Sequence, residues 1–133
     1  MTDTAISPAI GPFAEWLGLE LQHADGDRVV GAWTARPALH QPYGILHGGV
    51  HCAVVEAVAS VAAALWLGER GRVVGVNNNT DFFRGVGEGA MTSTATPVHR
   101  GRSQQVWLVE TFGDEDGRLV ARGQVRIHNL YPE

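Results

Sequence analysis

The sequence has 133 residues and a formal net charge of −4, with 44% hydrophobic and 18% charged residues. Those values predict one globular domain over residues 1–133 with a real core, and they exclude a disordered chain. All ten basic residues are Arg and the acids outnumber them, which argues against general affinity for nucleic acid or an anionic membrane.

"SPAIGPFAEWLG" (Ser7 to Gly18) predicts a short helix, with Pro near its start and Gly18 to stop it. "LELQHA" and "RVVGAWTA" are strand-like runs joined by the tight-turn signal "DGD" (Asp25 to Asp27). "RPALHQPYG" has two prolines and no periodicity, so it is expected to be a loop. A long helix follows, from about Gly48 to Gly68. Beyond it, "VVGVNNNTDFFR", "AMTSTATPVH", "SQQVWLVETF" and "RLVARGQVRIHN" are strand candidates separated by Gly-rich turns, as in an antiparallel meander.

A short helix, a hairpin, a long helix and a run of strands make an α+β pattern. The long helix is apolar on nearly every side, so an open sheet with one wet face cannot satisfy it. It predicts a curled sheet around a central helix, with a second subunit covering what the sheet does not. About twenty apolar residues also suffice to cross a bilayer. Here His51, Glu56 and Ser60 interrupt the run, and the rest of the chain alternates as soluble strands do.

Glu56 is the acid inside that helix, where a carboxylate is costly unless it is paired or used. "HGG" (His47 to Gly49) opens the helix and points free N–H groups of the first turn outward, where they can stabilise charge on a carbonyl oxygen. Ser60 lies one turn beyond Glu56 on the same face. The first turn of the helix and Glu56 are about 10 Å apart along the axis. A symmetric dimer with these helices antiparallel would bring one chain's Glu56 to the other chain's Gly48. Gln41 and His47 flank the entering loop, where they can orient a carbonyl or simply hold the turn. A structural reading of Glu56 would pair it with Arg84 or with backbone amides.

"HGGVH" places His47 and His51 at metal-ligand spacing beside Cys52, but the metalloprotease pattern needs Glu where this chain has Gly48. No metal and no cofactor is expected. The single cysteine excludes an intrachain disulfide, and the N-terminus carries no basic-then-apolar signal, so the expected location is cytoplasmic.

"GILHGGVHCAVVEAVASVAA", "VVGVNNNTDFFR", "ATPVHRGRSQQVW" and "DEDGRLVARGQVRI" together resemble the hotdog-fold acyl-CoA thioesterases. The nearest branch holds the Arthrobacter-type 4-hydroxybenzoyl-CoA and the 1,4-dihydroxy-2-naphthoyl-CoA thioesterases, with the phenylacetate-pathway enzymes as cousins. The resemblance runs from about Gly11 to the C-terminus. It implies a curled antiparallel sheet around one long helix, a homodimer that shares its active sites, and assembly into a homotetramer. It implies Glu56 as nucleophile or general base and the Gly48 N–H as the group polarising the thioester carbonyl. Gln41 and His47 would stand near that carbonyl, and Ser60 would position water or the intermediate. Arg84, together with Arg100, Arg102 and Ser103 in "HRGRS", would meet the CoA moiety. Independently of the resemblance, Trp33, Trp66, Phe82 and Phe83 can either shape the acyl pocket or belong to the core. Asp81 stands where some relatives have His or Ser. The competing readings are a β-hydroxyacyl thioester dehydratase using His40 with Glu56, and a non-catalytic acyl-CoA-binding module.

Overall fold

The computed structural model describes residues 8–133. Helix α1 is Pro12–Leu17, with proline in its first turn and Gly18 ending it at φ 87. It starts later than the pattern suggested, and Ser7 lies outside the described residues. Strands β1 (Glu20–Ala24) and β2 (Val29–Ala35) form the expected hairpin. The Asp25 carboxylate closes its turn by accepting the N–H groups of Asp27 and Arg28, each at 2.8 Å. Those backbone bonds hold Asp25 below the usual carboxylate range. The segment read as loop contains a 3-10 turn, Pro37–Leu39, and an isolated antiparallel bridge between His40 and Leu46.

Helix α2 runs Gly48–Leu67. Strands β3 (Arg72–Phe82), β4 (Gly89–Arg100), β5 (Gln104–Gly113) and β6 (Leu119–Leu130) follow. The six strands form one antiparallel sheet in the order β1-β2-β4-β5-β6-β3. With α2 on its concave side, this is the hotdog fold.

The sheet is not a simple meander. β3 lies at the edge beside β6, and β4 pairs instead with β2, setting Val29 opposite Ala95 and Trp33 opposite Met91. The Gly-rich stretch after Phe82 is therefore a crossing connection. Glycine marks a hairpin turn and a crossing loop alike, so that choice was not written locally.

One face of α2 is sealed by the sheet: Val54, Val55, Val58, Ala59, Ala62 and Ala63 are fully buried. They pack among Trp107, Val109, Val125 and Ile127. Each buried Val contributes on the order of 1.5–3 kcal/mol. α2 is long and apolar enough to cross a bilayer by length and composition alone, and here its apolar side lies against the sheet. Within the single chain the sheet leaves one face of α2 uncovered, the face expected to need a second subunit. Ala53, Ala57 and Ser60 are only partly covered, while Glu56 and Ala64 are exposed.

Candidate active site

The uncovered face of α2 forms one wall of a groove of about 900 Å³. The segment Pro8 to Leu17, including α1, makes the facing wall, and β3 contributes Val73 and Asn78. Its polar groups are few. Glu56, Ser60 and Asn78 stand among alanines, valines and leucines, so the groove suits an apolar ligand with one reactive polar centre. The carboxylate lies beside β3: a Cβ on Gly75 would make an ordinary contact with it, 3.9 Å from Glu56 Cδ. Arg84 does not reach Glu56. It is bound 3.0 Å away to Asp116, so the structural reading of Glu56 as its partner fails.

The helix start is built by its own loop. The His47 Nδ1 accepts the Gly49 N–H at 2.8 Å, which makes His47 the side-chain cap of α2. The Val50 N–H turns back to the His47 carbonyl. The Gly48 amide is thereby left without an acceptor among the described residues, at the positive end of the helix. Phe82 lies against the Gly48 backbone so closely that only glycine fits. Gln41 folds onto its own turn: its side-chain oxygen accepts the Tyr43 N–H, and its N–H donates to Ile45 O at 2.8 Å. None of these bonds uses its side-chain nitrogen. His40 Nε2 is held 2.6 Å from the Gly87 carbonyl, which ties it to the chain before β4.

The groove brings together Glu56, Ser60 and the Gly49 turn, but not the residues expected at the nucleotide end. Arg84 borders a separate pocket of about 280 Å³ ringed by Glu88, Asp114, Glu115 and Asp116, an acidic surround that repels phosphate. Arg100 donates to Gly26 O and to Asp27 Oδ1, both at 2.7 Å, and so pins the β1–β2 turn. Arg102 and Ser103 are exposed at the β4–β5 turn. That turn is rigid, since Asn129 donates from Nδ2 to the Gly101 and Arg102 carbonyls at 3.0 Å and from its backbone to Ser103 O.

Of the aromatics expected around an acyl group, none lines the groove, although Phe82 stands at the helix start. Trp33 is core, Trp66 lies beneath the Arg70 guanidinium, Phe83 meets Arg122, and Phe82 covers Gly48. The groove's aromatic side chain is Phe13 on α1, which sequence reasoning missed, as it missed Asn78. His47 and His51 do not act as a pair: one caps the helix, while the other is 3% exposed, stacked on Phe82 and edge-on to Trp33. Burial pushes the His51 pKa down to about 4.

A hotdog sheet with an acid and an unpartnered helix-start amide on its central helix defines a class of thioester-processing proteins. Residues 43–121 match the model of the Thioesterase superfamily, and the chain belongs to that family. Rv1847 of Mycobacterium tuberculosis is 52% identical over 122 residues, covering 90% of this chain and 86% of its own. The 1,4-dihydroxy-2-naphthoyl-CoA hydrolase of Escherichia coli is 33% identical over 115 residues, covering 86% of this chain and 84% of its own. Among solved structures, AziG of S. sahachiroi superposes with a TM-score of 0.90 at 62% identity, covering 93% of this chain and 100% of its own. The protein is a thioesterase.

Proposed function

We propose that this thioesterase hydrolyses an acyl-CoA, with an aromatic acyl group as its preferred class, and that Glu56 performs the chemistry. The carrying observation is the placement of Glu56 with Ser60 in a largely apolar groove on α2, the helix whose first amide, Gly48, has no acceptor among the described residues. The thioester carbonyl accepts the Gly48 N–H, so charge growing on its oxygen meets a fixed donor. Ionised Glu56 either attacks the carbonyl carbon, forming an anhydride that water opens, or takes a proton from water as it attacks. Either way the C–S bond breaks, the thiolate leaves as CoA, and the acyl group ends as the free acid.

Within one chain the helix start and Glu56 are about 12 Å apart at 1.5 Å per residue. The working site therefore combines two subunits with α2 antiparallel, in a homodimer that doubles to a homotetramer. Edge strand β3, with Val74 and Val76 about half exposed, is where the dimer joins. Gln41 and His47 line the carbonyl end, with His47 serving mainly as cap. Ser60 orients water, and Arg102 with Ser103 meets a CoA phosphate. Arg84 and Arg100 are committed to Asp116 and to the β1–β2 turn. The free thiol of Cys52 is in keeping with a cytoplasmic setting for this single domain. The aromatic preference is supported by the named substrate of the E. coli relative and by an apolar groove edged by Phe13.

The test is thiol release from benzoyl-, 4-hydroxybenzoyl-, phenylacetyl-, 1,4-dihydroxy-2-naphthoyl- and aliphatic CoA esters by the wild type and Glu56→Ala. Loss of kcat on the order of 100- to 10,000-fold in the variant supports the reading. Turnover of aliphatic esters alone overturns the aromatic preference. Full activity in the variant removes Glu56 from the chemistry. No hydrolysis of any ester leaves the dehydratase or the binding module. The dehydratase is disfavoured by the bond that holds His40 Nε2 on Gly87.

A further inference from the structure

One side chain ties the edge strand to the turn of α2 that carries Glu56. Asn78 Nδ2 donates to the Cys52 carbonyl at 2.9 Å. Cys52 precedes Glu56 by four residues, so the same oxygen also accepts the Glu56 N–H in the helix ladder. The amide of Asn78 is itself oriented, because its Oδ1 accepts the Thr80 hydroxyl at 2.7 Å. Thr80 in turn rests on bare backbone of β6: a Cβ on Gly123 would stand 2.3 Å from Thr80 Oγ1. A continuous line of contacts thus runs from β6 through Thr80 and Asn78 to the helix turn.

Two facts mark this line as more than packing. Asparagine is disfavoured in strands, and Asn78 is the member of "NNN" that turns inward, while Asn77 and Asn79 are exposed. Asn78 also lines the groove together with Glu56 and Ser60. A mid-helix carbonyl already bonded within the helix needs no second donor for stability, so this one serves geometry. It fixes the rotation of α2 about its axis at the turn where the carboxylate projects.

We propose that Asn78 is a positioning residue for Glu56, and that Thr80 holds Asn78 in its working orientation. The proposal rests on the reading of Glu56 as the reacting carboxylate. Displacing a reacting group by about 1 Å costs on the order of 100-fold in rate, and the effect falls on kcat because the Asn78 amide acts through the helix backbone at Cys52.

The experiment compares wild type, Asn78→Leu, Thr80→Val and the double variant, with Glu56→Gln alongside, in steady-state hydrolysis of the best ester. Amide hydrogen exchange over residues 52–60 is followed on the same proteins. Asn78→Leu keeps the size but loses the donor, and its kcat is expected to fall about 10- to 100-fold with KM within about twofold. Its Glu56 amide should exchange faster. Thr80→Val should show a smaller loss of the same kind, and the double variant should be no worse than Asn78→Leu. Unchanged kcat and unchanged exchange in Asn78→Leu would overturn the proposal. A loss carried by KM would make Asn78 a substrate contact instead. If Asn78→Leu does not fold, Thr80→Val decides by the same two readouts. Full activity in Glu56→Gln would sink the functional reading separately, while exchange still reports whether Asn78 holds the turn.

Discussion

Phe82 and Gly48 are in contact across the β3–α2 boundary: a methyl group on Gly48 would stand 2.5 Å from Phe82 Cε2 and 2.8 Å from Cζ. Moving the ring aside would disturb its stack on His51, whose centroid lies 5.7 Å away. Gly48→Ala is therefore expected to destabilise the protein by about 1–3 kcal/mol and to lower kcat through a displaced helix start. Phe82→Ala added to Gly48→Ala should return part of the stability. Urea denaturation of the single and double variants checks this.

His51 gives stability a pH dependence of known sign. Its pKa is about 4 when folded and 6.5 in its ordinary state, because burial penalises the imidazolium. Between those values the unfolded chain binds the extra proton, so stability is full above pH 6.5 and falls as pH drops towards 4. The loss is on the order of 3 kcal/mol once both values are passed. Among the described residues its Nδ1 has no hydrogen-bond partner, so His51→Phe forfeits none there. That variant should flatten this part of the profile, measured as the denaturation midpoint from pH 7 to pH 4.

Arg100 and Arg102 should part company. Arg100→Ala removes two bonds to the β1–β2 turn and is expected to cost about 1–3 kcal/mol of stability with KM for the CoA ester unchanged. Arg102→Ala, at an exposed position, should leave the melting temperature alone and raise KM several-fold. Thermal melts and steady-state kinetics on both variants separate the two roles.

Gly123→Ala should be among the most damaging single-methyl changes. Its Cβ would meet Thr80 Oγ1 at 2.3 Å and Val55 Cγ1 at 2.8 Å, between a strand and a fully buried helix face. A loss of about 3 kcal/mol is expected, near the upper end for overpacking. Thr80→Ala in the same chain should recover part of it, as denaturant midpoints would show.

The sequence was most legible where one chemical fact had one structural solution. The all-but-apolar run from Gly48 demanded a wrapped helix, and the alternating runs after it demanded a half-buried sheet. Strand order was not legible, because the turn after Phe82 has the composition of a hairpin and the path of a crossing. Glu56 and Ser60 stood out as polar residues in an apolar helix. Asn78 did not, since a run of three asparagines in a strand reads as solvated until the register turns the middle one inward. The partners of Arg84 and Arg100 were not legible for a related reason. An arginine's partner lies far away in sequence, at Asp116 for one and at Gly26 and Asp27 for the other.

The crossing of β3 to the far edge has a consequence for how the molecule is made. β3 is synthesised directly after α2, yet its one strand partner, β6, spans Leu119–Leu130. While β4 and β5 emerge from the ribosome, the strand beside Glu56 can lie on α2 but has no strand to pair with. Pairings so distant in sequence form late, after a large loop has been closed. The edge of the sheet nearest the carboxylate is thus the last to pair, and a nascent chain stopped short of Leu119 holds the acid, Asn78 and Thr80 without the strand that backs them.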